Sequence, residues 1–225
     1  HEAKSIVFGV DWWGLSRSDT GASISKLGGD VKNALQFSKR LFQAMGNWFT
    51  LSEAIRTSLK QEEVFHRPGG ELIYDSNDMT FVGMSLGAIL GGTYTALNPS
   101  ISKSILHVGG VALAHMMFRS DPFSPFLFVL DMSVPDALDQ QKFVASLQPI
   151  CDRFDPSTYA PFLVNKSLPV EQLPPSRDRQ VFMQIALADT QVPNFASFLY
   201  GRLAGISVVQ PSPIEIFGME TGLGP

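Results

Sequence analysis

The segment Phe81-Val-Gly-Met-Ser-Leu-Gly-Ala-Ile-Leu90 sets the reading of everything around it. Inside it, Gly83-Met84-Ser85-Leu86-Gly87 fits the pattern G-x-S-x-G. At this glycine and serine content a chance match has odds on the order of one in ten, so the pattern draws its weight from its neighbours. Met79-Thr-Phe-Val82 reads as a short apolar strand entering a turn. Leu86 to Leu97 reads as a helix rich in small residues, stopped by Asn98-Pro99. A serine on such a strand-to-helix turn is held in strained φ/ψ, which small residues two positions either side permit. Gly83 and Gly87 supply them. The Leu86 N–H would then face a developing oxyanion at a helix N-terminus, where the dipole favours negative charge. The plain alternative is a buried serine in a glycine-rich joint.

Outward from this turn, strands and helices alternate. Ser5-Ile-Val-Phe-Gly-Val10 is a β-branched and aromatic run, predicted as a buried parallel strand that ends at Asp11-Trp12-Trp13-Gly14. A Ser/Gly/Asp-rich loop follows to about residue 30. Residues 31–59 carry Leu35, Phe37, Leu41, Phe42 and Met45 at helical spacing, and Gly46-Asn47 is a predicted break. Ser104 to Val108 is a further strand, closed by Gly109-Gly110. Residues 112–175 are irregular and rich in Phe, Met and Pro. That is longer than an ordinary crossover connection, and it reads as a cap or lid insertion with short helices. Gln180 to Ala186 is a fourth strand, Asn194 to Leu203 a helix ended by Gly205, and Ile206 to Val209 a fifth strand. The alternation predicts an α/β architecture, a mostly parallel sheet flanked by helices, in one domain over residues 1–225.

Composition narrows the function. The 225 residues are 44% hydrophobic and 17% charged, with a net charge of −4. No basic stripe points to nucleic acid. Cys151 is the only cysteine, so no intrachain disulfide forms. Met79 to Ser102 is uncharged and long enough to span a bilayer, but the serine turn, Thr93-Tyr94-Thr95 and Asn98-Pro99 argue for strand, turn and helix instead. There is no H-E-x-x-H and no cysteine-rich spacing, so no metal site is expected. Gly87-Ala-Ile-Leu-Gly-Gly92 lacks the Lys-Ser/Thr of a phosphate loop, and no cofactor is expected. Asn165-Lys166-Ser167 fits a glycosylation acceptor, a pattern common enough to place nothing.

Four segments, "DWWGLS", "VGMSLGAILGG", "ILHVGG" and "ALADTQVPN", resemble serine hydrolases of the α/β-hydrolase superfamily, most closely bacterial esterase- or lipase-like members. The first is a loose match: Trp13 stands where many members have arginine, and the second glycine is missing. The resemblance implies an α/β-hydrolase fold and ester hydrolysis through an acyl-enzyme. Ser85 would be the nucleophile and the Leu86 N–H half of the oxyanion hole. Asp189, followed by Val192-Pro193, would be the acid that orients a histidine. As turn aspartate or helix cap, Asp189 has a structural alternative, and Asp121, Asp131, Asp136 and Asp155 are the other acids weighed for the role. The histidine should follow the acid. The four present are His1, His66, His107 and His115, and none follows Asp189. The sequence is therefore expected to stop short of the histidine loop, and to begin after the family's first strands and its second oxyanion donor.

His115 falls just after the Ser104–Val108 strand and reads as a pocket residue or an unconventional base; His107 reads as structural and His66 as solvated. Trp12, Trp13 and Met84 are further pocket candidates, with core packing the alternative for the tryptophans. Met116, Met117, Phe118, Phe123, Phe126 and Phe128 would form an apolar surface suited to a small-molecule hydrophobic ester, or simply the insertion's own core. Membrane contact through the cap is compatible with this composition, and the lipase-like resemblance favours an extracellular or periplasmic location. Two other functions fit the same residues: an inactive hydrolase fold serving as an interaction or structural component, and an acyltransferase using the same triad.

Overall fold

The structure is a computed structural model, and it describes residues 5–19, 21–22, 36–164, 168 and 179–222. Its centre is a three-stranded sheet in the order β1 (Met79–Met84), β2 (Ile101–His107), β3 (Gln180–Gln184). Both strand pairs are parallel. Helix α1 is Gln36–Arg56, α2 is Leu86–Leu97, α3 is Leu113–Met117, α4 is Ser124–Ser133, α5 is Ala137–Cys151, α6 is Pro156–Tyr159 and α7 is Asn194–Ala204. This is the α/β alternation expected of the sequence.

The register sorts side chains by face, because paired residues of a parallel sheet share one. Ser104 pairs with Phe81 and Val181, and Leu106 with Gly83 and Met183. This face meets the helices: Phe81 and Leu106 are buried, and Leu106 is 0% exposed. Helix α2 lies against it with its small residues inward. A side chain at Gly91 would overlap the Phe81 ring, and one at Gly92 would overlap the hydroxyl of the fully buried Tyr200 of α7. Helix α1 joins the same layer through aromatic rings. Trp48 sits 5.5 Å from Phe81 and 5.6 Å from Tyr94, and Phe49 sits 5.4 Å from Tyr94. At the opposite end of the sheet from Ser85, the buried Arg179 donates to the carbonyls of Asn98, Ile101 and Phe162, tying the end of α2 to the starts of β2 and β3.

Three expectations are corrected. Ser5–Val10 forms no strand, and Val7 stands exposed. A β-branched run becomes a strand only where a neighbour takes its backbone hydrogen bonds, and this one has no ladder partner among the described residues. Its Phe8 instead packs 5.6 Å from Phe65 and 5.9 Å from Tyr74. Gly46-Asn47 does not break α1, which runs on through it. One helical glycine costs about 1 kcal/mol, less than packing the partly buried Trp48 and Phe49 rings against the core returns. Val208–Val209 is a strand of two residues, and it pairs with Thr221–Gly222 instead of joining the main sheet.

The long stretch after β2 carries α3 to α6. Its part at 165–167 and 169–178, with the Asn165 acceptor, lies outside the described residues, as do His1 and most of the loop before α1. Met79–Ser102 is divided among β1, α2 and the start of β2. Among the described residues no helix is long and apolar enough to cross a membrane.

Candidate functional site

Ser85 is the single residue between β1 and α2. Its backbone sits at φ 53°, ψ −120°, a conformation that costs a non-glycine residue of order 1–3 kcal/mol and persists only where the surroundings enforce it. Three contacts do so. The Ser85 N–H donates to the His107 carbonyl at 2.9 Å. The Ser85 carbonyl accepts from Ala88 and Ile89 at 2.9 and 3.0 Å, starting α2. Gly83 lets the first turn of α2 close onto β1: a side chain there would overlap the Gly87 carbonyl and the Phe81 ring. Gly87 has a different role from the one its spacing suggests, since a side chain at that position meets nothing within 4 Å. The Ser85 hydroxyl caps no helix N–H. Neither that hydroxyl nor the Leu86 N–H finds a hydrogen-bond partner among the described residues.

Asp189 lies five residues beyond β3, at the same carboxyl edge of the sheet as Ser85. β2 separates the two strands, which by strand spacing lie roughly 10 Å apart. Oδ1 of Asp189 accepts from the N–H groups of Gln191 at 2.8 Å and Val192 at 3.1 Å. Oδ2 has no hydrogen bond among the described residues. The turn is also tied to the segment after α3: Ser120 Oγ donates to the Gln191 carbonyl, and the Asp121 N–H donates to the Thr190 carbonyl at 3.0 Å.

Three of the other acids weighed, Asp155, Asp136 and Asp131, are occupied. Asp155 is fully buried, and its two oxygens take the N–H groups of Ala112, Leu113 and Ser157 and the Gln148 amide. It therefore secures the loop after β2. Asp136 caps α5, and Asp131 accepts from Gln140. Cys151 is no competing nucleophile: burial, with the nearby Asp155 and Asp152 charges, pushes its thiol up to about 12.

No described histidine side chain hydrogen-bonds to Ser85 or Asp189. His115 sits on α3, half-buried, its carbonyl accepting from Arg119. His107 is the register partner of Met84, and its Nδ1–H donates to Gln184 at 2.9 Å. Trp12 is in the core, stacked 5.2 Å from Trp48, while Trp13 is exposed beneath the Arg40 guanidinium. Met84 is 66% exposed on the sheet face away from the helices. Of the apolar residues after β2, Met116 and Met117 are buried, Phe118 and Phe123 pack against the core, and Phe128 is exposed.

Sequence reasoning missed Asn194. Its side chain accepts from the Ala188 N–H at 2.8 Å and donates to the Ala186 carbonyl at 2.6 Å. An asparagine one residue past Val-Pro reads as an ordinary helix start, and only the folded corner shows what it holds. Compared with family models, with curated proteins and with solved structures, the chain matches none.

Proposed function

We propose that this protein is a serine hydrolase of the α/β-hydrolase superfamily, with the esterase- or lipase-like role of cleaving a carboxylic ester whose acyl group is hydrophobic. The observation that supports this best is Ser85: a non-glycine residue at positive φ, between a parallel strand and a helix, with its hydroxyl unengaged. The carboxyl ends of parallel strands are where open α/β sheets bind ligands.

In this reading Ser85 Oγ attacks the ester carbonyl and its proton passes to a histidine that lies outside these 225 residues. The oxyanion forms against the Leu86 N–H. The C–O bond breaks, the alcohol leaves with the proton from that histidine, and the acyl group stays on Ser85. Water then adds under the same base, releasing the acid and restoring the hydroxyl. Asp189 Oδ2 accepts the imidazole Nδ1–H and holds the tautomer. An imidazole placed over the end of β2 bridges the two strands. One oxyanion donor is worth about 10²–10³ in rate, so a second donor is needed beside the base. Acyl transfer to an acceptor other than water would use the same groups.

A second reading, an inactive scaffold of this fold, is favoured by the lack of any described imidazole bonded to Ser85. A fluorophosphonate reaction on the native full-length protein, read by intact mass and peptide mapping, separates the two. The hydrolase gives an adduct on Ser85 that Ser85→Ala abolishes, with the melting temperature kept because alanine retains the Cβ. An unreactive native protein of confirmed full length leaves the scaffold.

A further inference from the structure

The corner between β3 and Asp189 is held in a way the triad alone does not account for. Ala188 sits at φ 56°, a left-handed conformation that an alanine adopts only under constraint. The constraint is one side chain. The Asn194 amide spans the corner, accepting from Ala188 N–H at 2.8 Å and donating to the Ala186 carbonyl at 2.6 Å. Asn194 is itself fixed, being the first residue of α7. Two and three residues on, Ala196 and Ser197 are fully buried, and Ser197 Oγ donates to the Gly109 carbonyl at 2.8 Å. Gly109 packs in turn against Ala88 of α2, in the first turn after Ser85.

The backbone that sets the Asp189 Cα is therefore pinned to the same rigid block that carries Ser85. The carboxylate torsion is set separately, by the bonds from Gln191 and Val192 to Oδ1. Together these leave Oδ2 in one place. Catalytic groups need to be held within about 0.5 Å, and a locked supporting side chain is how that is achieved.

Resting on the hydrolase reading, we infer that Asn194 is a positioning residue for Asp189: its amide fixes the Ala186–Ala188 corner and so aims the carboxylate at the imidazole. The test is hydrolysis of p-nitrophenyl butyrate by the full-length protein and its variants. Asn194→Ala should lower kcat by about 10²-fold, the loss that a misplacement near 1 Å brings, with KM within about twofold. The discriminating readout is the double-mutant cycle with Asp189→Asn. A residue that acts through Asp189 has nothing left to aim, so Asn194→Ala should add less than about twofold there. A merely structural residue keeps its full effect in both backgrounds. Asn194→Asp keeps the shape and the acceptor for Ala188 N–H and loses only the donor to Ala186; it runs through the same cycle if Asn194→Ala does not fold. Unchanged kcat, or the same loss with and without Asp189, overturns the inference and leaves the hydrolase reading standing. A wild type inert to both the ester and the fluorophosphonate removes the hydrolase reading, and this inference with it.

Discussion

At the scale of single residues, the two glycines of G-x-S-x-G look equivalent and are not. Both were read as small neighbours that allow the strained serine. In the fold Gly83 faces the first turn of α2 at overlap distance, whereas Gly87 faces open space. A pattern of residue types cannot separate these, since the difference lies in which way each Cα–H points. Gly83→Ala should cost about 1–3 kcal/mol, the range for overpacking, because the neighbour it strikes is helix backbone and not a flexible tip. Gly87→Ala should be neutral or stabilising by up to about 1 kcal/mol, the propensity difference of a helical position. Urea denaturation of both variants checks this, and equal costs would contradict the packing described. Ser85 itself was legible because its strain needs a strand before and a helix after, and both are written locally. Asp189 was legible as an acid at a strand end, but Asn194 was not, since its partners are set by a corner that exists only once α7 has docked.

At the scale of elements, what could be read was whatever carries its own signal. β1, α2, β2 and α7 have apolar runs with turn residues at their ends, and they form close to where the pattern places them. Ser5–Val10 and Gly46-Asn47 misled because tertiary partners overrode local preference, in one case by absence and in the other by two partly buried aromatic rings. The loop at Asp11–Asp19 shows the same dependence. Asp19 is buried; one oxygen takes the Gly14 N–H at 2.8 Å and the Ser16 hydroxyl at 2.6 Å, and the other faces Arg40 at 3.1 Å. The Ser16 hydroxyl first, then the Gly14 N–H, hold its carboxyl below the usual range, against the opposing effect of burial, with the Arg40 charge a smaller help. A carboxyl lowered in the folded state contributes stability that is complete above its unfolded value, near 3.9, and that is lost as pH falls through the folded one. The stability gap between wild type and Asp19→Asn should accordingly be full at pH 7 and narrow below about pH 4. Urea midpoints measured across that range decide it, and a gap independent of pH would show that the carboxylate's charge does not matter to the loop.

At the scale of the whole molecule, the sheet is lopsided. A parallel sheet is ordinarily covered on both faces, and its strands are apolar on both. These strands meet the second condition only in part, since Thr80, Lys103 and Gln180 share the open face with an apolar row. Val82, Ile105 and Phe182 form one row across β1, β2 and β3, and Met84, His107 and Gln184 form the next row, toward Ser85. Among the described residues the first condition fails: Val82 is 64% exposed and Phe182 54%, with the helices that touch the sheet packed against the other face. The exposure of Val82, Ile105 and Phe182 is thus imposed by their surroundings and not by the residue types of that row. Two substitutions measure whether the open face is open in the native protein. Leu106→Ala, on the covered face, should cost about 2–5 kcal/mol. Val82→Thr is nearly isosteric and adds a hydroxyl; in solvent it should stay within about 0.5 kcal/mol of wild type. Buried without a partner, the same hydroxyl would cost about 1–3 kcal/mol. A Val82→Thr cost near that upper range, found in the full-length protein by urea denaturation, would mean that further polypeptide lies over Val82, Ile105 and Phe182. A cost near zero would leave these three side chains in water, with the sheet stabilised from one side alone.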